Sequence, residues 1–500
     1  MKKNVLALSI AAAVVGFAGS AHAVTNLTGA DATTLRFGNT GTGHMLVVPY
    51  YSAQAGNSTL LSIINTDEKN GKAVKVRFRG AANSDDVYDF QVFLSPGDVW
   101  TANVSADPNG KAYLTTHDNS CTKPAKNTLN TTPFVTARLN GDEDVRANNT
   151  REGYIEIFNM ADIPSTAALF PNIKHSNGVA PCSGTAWTLL NTDTDNATLT
   201  GPTIGLAAPT TGLAANWTII NVPKSVAWGG QAAAIEAVDA AGKPAKGNVV
   251  YFPQTSTAIT ATQAAAFTAD PLMQGATPVV KGALYDLPDM STPYTNIAAG
   301  TPSQQADLLA KAIEATAVMN EYWTEPTIFA ATDWVFSMPT RRYAVAVDYK
   351  AVGGPAPVYN ADNERHFTNA NTQMSEDKLC VTDITSSPWD REERQPAAPD
   401  EVVISPSEPG KPVLFCGETS VLSFNNSGAT TSGVLGANVA VKDIDLAYTN
   451  GWLKLVTPGV AANSGLPILG QAFVSAYNPD VGAGTSGNFN TGWSHRYIRP

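Results

Sequence analysis

The chain has 500 residues, of which 43% are hydrophobic and 15% charged, and its formal net charge is −11. This composition can bury a large core, and it excludes an intrinsically disordered or collagen-like chain. The length indicates roughly two to four domains. The acidic balance, without a local cluster of Lys and Arg, argues against a nucleic-acid partner.

The first residues have the pattern of a cleavable signal peptide. A short cationic start precedes an apolar run from Val5 to Phe17, and Ala21-His22-Ala23 provides small residues for cleavage. The run is shorter than the roughly 20 residues that a membrane-spanning helix needs, which disfavours an uncleaved anchor. We therefore expect removal of residues 1–23, a mature chain starting at Val24 with net charge −13, and export to the cell surface or extracellular space, with the periplasm as the alternative.

No later segment is long and apolar enough to predict a transmembrane helix after processing. The four cysteines lack the CxxC spacing of a thiolate metal site. Since export favours oxidation, we expect disulfides, and four cysteines allow three pairings. Closeness in sequence favours one bridge in each half of the chain: Cys121 with Cys182, and Cys380 with Cys416.

The N-terminal half carries the clearest β-strand pattern, between Gly43 and Val104. Apolar and basic residues alternate along the segment 74–79, with Lys75, Arg77 and Arg79 on one face. We interpret these three cations as a face in water, in preference to a ligand site.

Short strands bounded by turns predict an all-β fold of two immunoglobulin-like β-sandwich units. Residues 24–228 are expected to form the N-terminal sandwich, with a long Thr/Asn-rich loop insertion between Val104 and Asn216. Residues 229–500 are expected to form a second β-rich unit that contains one packed α-helix.

That helix has a recognisable start. Thr301-Pro302-Ser303-Gln304 combines a capping hydroxyl, a proline at the first helical position and a glutamine three residues after the cap. Apolar residues then recur at helical spacing from Leu308 to Met319. The pattern predicts a helix over about 302–322 whose apolar stripe packs on a sheet.

Motifs of known chemistry are absent: we find no GxSxG elbow, HExxH helix, P-loop or GxGxxG turn. The histidines left after processing are far apart in sequence and predict no metal site: His44, His117, His175, His366 and His495. The charged run Asp390–Arg394 follows Trp389 and is interpreted as a salt-linked loop. We therefore expect no catalytic residues and a protein that is not an enzyme.

Clusters of carboxylates are the candidates for a metal site, because calcium binds oxygen ligands in exported proteins. None matches an EF-hand loop, so turns on a charged surface explain the clusters equally well. The candidate calcium ligands are Asp85, Asp86, Asp89, Asp193 and Asp195.

Five segments carry a resemblance to known proteins: Ser58–Asp67, Phe93–Trp100, Thr332–Thr340, Trp389–Glu393 and Gly465–Gly470. Together they resemble a loosely characterised family of exported proteobacterial cell-surface proteins. The resemblance spans most of the mature chain, and the composition is also similar to that of surface-layer proteins. The family has no established catalytic residues, so the resemblance assigns none to any position here.

Three functions follow as hypotheses. The first is an exported, non-enzymatic structural protein of the cell surface that associates with itself, as an oligomer or lattice, or attaches to the envelope. The second is an extracellular module that binds a carbohydrate, such as a cell-envelope glycan, or another ligand through Trp187, Trp228 or Trp493. A secreted hydrolase with a dispersed site is the third.

Overall fold

A computed structural model describes residues 27–192, 195–254, 266–273, 287–296, 300–395, 413–482, 485 and 487–500. The predicted signal peptide, residues 1–23, and the calcium candidate Asp193 lie outside the described residues. Strands dominate the described chain, which confirms the predicted all-β sandwich class.

The N-terminal sandwich consists of a seven-stranded and a five-stranded antiparallel sheet. The first has the order Thr34–Phe37 (β1), Ala233–Val238 (β12), Met45–Ser52 (β2), Glu152–Pro164 (β9), Asn70–Gly80 (β4), Asp86–Leu94 (β5) and Cys121–Lys123 (β8). The second has the order Val226–Gln231 (β11), Leu213–Asn221 (β10), Asn57–Asn65 (β3), Val99–Ala106 (β6) and Ala112–Thr115 (β7). Their facing side chains form one core around Phe90, Trp100 and Trp217.

The second sandwich also consists of two facing sheets, which are antiparallel except for the parallel pair of Thr419–Phe424 with Val441–Ile444. One sheet has the order Thr372–Ser375 (β18), Lys378–Trp389 (β19), Asn450–Val456 (β23), Ala317–Trp323 (β14) and Arg496–Ile498 (β27), and Val413–Cys416 (β20) also pairs with β19. The other has the order Val441–Ile444 (β22), Thr419–Phe424 (β21), Ala331–Ser337 (β15), Leu469–Tyr477 (β25) and Asn488–Ser494 (β26). Trp334, Phe336 and Leu453 lie in the core between them.

Shorter elements complete the described chain. Two strand pairs stand apart: Glu314–Ala315 (β13) with Leu466–Pro467 (β24), and Val345–Asp348 (β16) with Ala356–Tyr359 (β17). The helices are Lys126–Leu129 (α1), Glu143–Asn149 (α2), Phe170–Ile173 (α3), Thr185–Leu189 (α4), Asn196–Thr200 (α5), Pro302–Ile313 (α6) and Arg341–Ala344 (α7), with a 3-10 turn at Pro326–Ile328. None of these described helices combines the length and apolar character needed to cross a membrane.

The two sandwiches meet along a wide junction. Strand β11 spans the predicted division between residues 228 and 229, and it pairs with β10 of the N-terminal sandwich. Edge strands β11 and β26 lie against each other. Two hydrogen bonds join β11 to the neighbouring strand β25: Trp228 Nε1 donates to the Val474 carbonyl at 3.1 Å, and Gln471 Nε2 donates to the Gly229 carbonyl at 3.2 Å. Each edge is therefore covered by the other sandwich of the same chain.

Helix α6 begins as predicted but ends early. The Thr301 hydroxyl and the Gln304 side chain form the expected capping box. The predicted end near Tyr322 is wrong, because the helix stops at Ile313 and Ala317–Trp323 forms strand β14 between β23 and β27. Pairing on both sides outweighs the helical spacing that this segment shows in the sequence.

The interpretation of the basic face of β4 is also wrong. Lys75, Arg77 and Arg79 are only 1%, 1% and 3% exposed. The chain passes over this face of the sheet, where Lys75 donates to the Gln254 side chain and Arg77 to the Pro288 carbonyl.

Both disulfides have the predicted pairing: Cys121–Cys182 and Cys380–Cys416. Such bonds are consistent with an exported protein.

Candidate functional site

The outer face of the β19–β23–β14 sheet carries exposed tryptophans. Along β23, Leu453 and Leu455 enter the core, so Trp452 lies on the opposite face with 38% of its surface exposed. Along β14, Tyr322 is buried, and Trp323 is therefore directed outward with 39% exposed. Strand alternation thus places both rings on the solvent side of one sheet.

Register brings further side chains beside them. Trp389 of β19 and Glu321 of β14 lie directly opposite Trp452 on its two neighbouring strands. The Trp389 and Trp452 rings stack with centroids 4.1 Å apart and planes 5° apart. Trp323 contacts Trp493 edge to face at 5.1 Å. Each exposed indole is therefore held in place by a second indole.

Glu321, Trp323 and Trp452 line an open groove of about 560 Å³, which we call the tryptophan groove. Its volume falls within the range of about 300–1,000 Å³ that is typical of ligand pockets. The lining residues are Met319, Asn320, Glu321, Trp323, Asp390, Arg391, Glu393, Asn450, Gly451, Trp452 and Arg496.

Hydrogen bonds keep the groove walls in position. The Thr332 hydroxyl accepts a hydrogen bond from the backbone N–H of Trp323 at 3.0 Å and donates one to the Trp323 carbonyl at 2.8 Å. At the rim, Asp390 accepts the backbone N–H groups of Glu392 and Arg394 at 2.9 and 2.8 Å. Burial alone would raise the pKa of the Asp390 carboxyl, but these bonds and the Arg394 guanidinium hold it below its usual value.

The charges around the groove are nearly balanced. Arg394 pairs with Asp390 at 2.6 Å and with Glu392 at 3.1 Å, which confirms the predicted salt-linked loop. Arg496 and Glu321, which both line the groove, lie 4.0 Å apart. The groove therefore offers flat apolar rings together with paired polar groups, an arrangement that suits an uncharged ligand with many hydroxyl groups.

The three tryptophans expected from the sequence as ligand contacts have different positions. Trp228 is 3% exposed and belongs to the junction of the sandwiches, so it cannot form a contact surface. Trp493 supports the tryptophan groove through its contact with Trp323. Trp187 lines a different pocket, in the insertion of the N-terminal sandwich.

Sequence reasoning missed Trp323 and Trp452 as exposed residues. A signal for both exists in the chain: Glu321 and Trp323 share one strand face, as do Trp452 and Lys454. A tryptophan that alternates in phase with charged residues is directed toward water. That rule finds two of the groove's rings without a structure.

The candidate calcium ligands on β5 and just before it are bound to protein cations. Asp85 accepts from Arg342 at 3.2 Å and from the Tyr349 hydroxyl at 2.5 Å. Asp86 pairs with Arg77 at 3.0 Å, and Asp89 pairs with Lys75. The fourth described candidate, Asp195, caps helix α5 through the N–H of Thr198. In the described part of the chain, no group of three or more His, Cys, Asp or Glu residues is arranged to hold a metal ion.

Comparison with known proteins gives no relative: no family model, no curated protein and no solved structure matches the chain.

Proposed function

We propose that this chain is an exported protein that binds glycans through the tryptophan groove. The observation that carries the proposal is the pair of outward indoles, Trp323 and Trp452, on the face of a rigid sheet. A contiguous exposed apolar patch with polar residues at its rim is typical of a surface that binds a ligand or partner.

A sugar ring fits this surface chemically. The C–H groups on one face of a pyranose ring are weakly positive, and the face of an indole ring is negative. The hydroxyl groups of the sugar require donors and acceptors at the groove rim, which Asn450, Glu393 and Arg391 provide. Because Trp452 is stacked on Trp389, little side-chain entropy is lost when a ligand binds.

The test is a glycan array on the purified chain, followed by calorimetric titration of every glycan that binds. We expect W452A and W323A each to weaken binding at least tenfold, which corresponds to about 1.4 kcal/mol. The control is F489A, because Phe489 is an aromatic residue with 64% exposure that does not line the groove. No binding on the array, or equal binding by all variants, would contradict the proposal.

Self-association at the cell surface is the second candidate function. The end of the second sandwich carries exposed apolar residues, with Phe329 at 59% and Phe489 at 64%, and the Phe329 ring lies 6.1 Å from that of Tyr477. Sedimentation at rising concentration tests this candidate. We expect association in the wild type and its loss in a F329S/F489S variant, and a monomer at every concentration would rule it out.

A further inference from the structure

A buried lysine without an ion pair lies in the N-terminal sandwich, far in sequence from the tryptophan groove. Lys123, at the end of β8, is 5% exposed. Its ammonium group donates to the Trp187 carbonyl at 3.1 Å and to Asn191 Oδ1 at 2.6 Å, and it lies 4.0 Å from the centroid of the Trp187 ring. All of these partners are neutral.

This arrangement differs from that of every other buried cation in the described chain. The other six Lys and Arg side chains with buried positions each pair with a carboxylate: Lys72, Lys75, Arg77, Arg79, Arg341 and Arg342. Within the same described residues, Lys123 has no such partner. A buried charge without a countercharge is costly, because the lost hydration is only partly replaced.

Lys123 also lines an open pocket of about 740 Å³, which we call the lysine pocket. A second cation, Lys126, lies on its wall, and none of its described lining residues is Asp or Glu. Thr122, which is 6% exposed, lines it too, and its hydroxyl oxygen has no hydrogen-bond partner in the described structure. The pocket thus combines positive charge with an unused polar group.

We propose that the lysine pocket binds a small extracellular ligand that carries an oxyanion, such as a carboxylate, sulfate or phosphate group. The ammonium of Lys123 supplies the charge that the anion neutralises, and the Thr122 hydroxyl supplies a hydrogen bond to the ligand. The Cys121–Cys182 disulfide holds two segments of the pocket wall together, since Cys121 precedes Thr122 and Cys182 lines the pocket. The lysine pocket shares no lining residue with the tryptophan groove.

Calorimetric titration of the full chain with glucuronate, sulfate and phosphate tests the proposal, with glucose as the neutral comparison. We expect at least one oxyanion to bind and glucose not to bind in this pocket. K123M should weaken oxyanion binding at least tenfold, and T122V about two- to tenfold, the effect of one hydrogen bond. K69M, which removes an exposed lysine outside the pocket, should change nothing.

The pH dependence provides a second readout that remains usable if K123M does not fold. Burial lowers the pKa of the Lys123 amine to about 8. Oxyanion affinity should therefore fall about tenfold between pH 7 and pH 9, as the ammonium loses its proton. The absence of oxyanion binding by the wild type, or binding that neither K123M nor T122V nor pH alters, would overturn the proposal. W452A should bind the oxyanion as the wild type does, which separates this site from the groove.

Discussion

Glu152 and Asp333, one from each sandwich, bind the same loop. Glu152 Oε1 accepts the N–H groups of Asn438 and Val439 at 2.8 and 3.1 Å. Asp333 Oδ2 accepts those of Val434 and Leu435 at 3.0 and 2.8 Å. The loop between β21 and β22 is therefore fixed by two buried carboxylates, and it links the two halves of the chain.

Replacing Glu152 tests what its charge contributes. Burial raises the pKa of the Glu152 carboxyl, so the folded chain takes up this proton at a higher pH than the unfolded chain. The resulting stabilisation is present below the unfolded pKa and is lost as pH rises through the folded pKa. E152Q keeps an acceptor oxygen without the charge, so we expect its stability relative to the wild type to increase from pH 4.5 to pH 7.5 in urea unfolding.

The matched variant for that experiment is E152A, which removes the acceptor as well. It leaves the N–H groups of Asn438 and Val439 without this acceptor, and a buried N–H without a partner, such as that of Val439, costs about 1–3 kcal/mol. We expect E152A to be clearly less stable than E152Q at both pH values. Equal destabilisation by the two substitutions would show that the charge itself is required.

Two buried histidines predict a loss of stability in weak acid. Burial lowers the pKa of His44 and of His495 to about 3 each. In the unfolded chain each imidazole takes up a proton near pH 6.5, whereas in the folded chain it stays neutral at that pH. The folded state therefore begins to lose stability as pH falls through about 6.5. Between pH 7.5 and pH 5.5 each histidine therefore removes about 1.4 kcal/mol.

The variant H495Q isolates one of these contributions. His495 accepts from Asn320 and donates to the Val335 carbonyl, and an amide can do both, although the stacking on Phe336 is lost. We expect lower stability at pH 7.5 but a difference between pH 7.5 and 5.5 that is smaller by about 1.4 kcal/mol. H117Q, at an exposed histidine, is the control. An unchanged difference in H495Q would contradict this explanation.

Alternation along a strand could be predicted from sequence, but the surroundings of its second face could not. The pattern of β4 correctly separates Val74, Val76 and Phe78 from the cations between them. It does not show that residues near 254 and 288 cover the cations. The acidic residues of β5 do indicate that these cations are paired, because Arg77 lies directly opposite Asp89 in the register of the β4–β5 pair.

The candidate site was only partly predictable for the same reason. The segments around Trp389 and Trp493 were singled out from the sequence, but they are about a hundred residues apart and their partners Trp452 and Trp323 lie on other strands. Strand order and register decide which rings meet, and neither follows from local alternation. The disulfide pairing was predictable because each bridge joins cysteines that are close in sequence.

The buried cation Arg342 should contribute more to stability than an exposed one. It pairs with Asp270 at 2.6 Å and with Asp85 at 3.2 Å, and all three side chains are buried. R342M leaves both carboxylates without this partner, and we expect a loss of about 3–5 kcal/mol in denaturant unfolding. K311M breaks a partly exposed pair with Asp307 and should cost less than about 1 kcal/mol. Similar losses of unfolding free energy in R342M and K311M would contradict this prediction.

Removal of each disulfide should affect different parts of the chain. The Cys121–Cys182 and Cys380–Cys416 bridges join cysteines 61 and 36 positions apart. Loops of this size correspond to about 4 kcal/mol of stabilisation each. We expect C121S/C182S and C380S/C416S to lower the free energy of unfolding by similar amounts. Because only the first bridge borders the lysine pocket, C121S/C182S alone should also weaken oxyanion binding in calorimetric titration, whereas equal weakening in both variants would point to a general loss of folding.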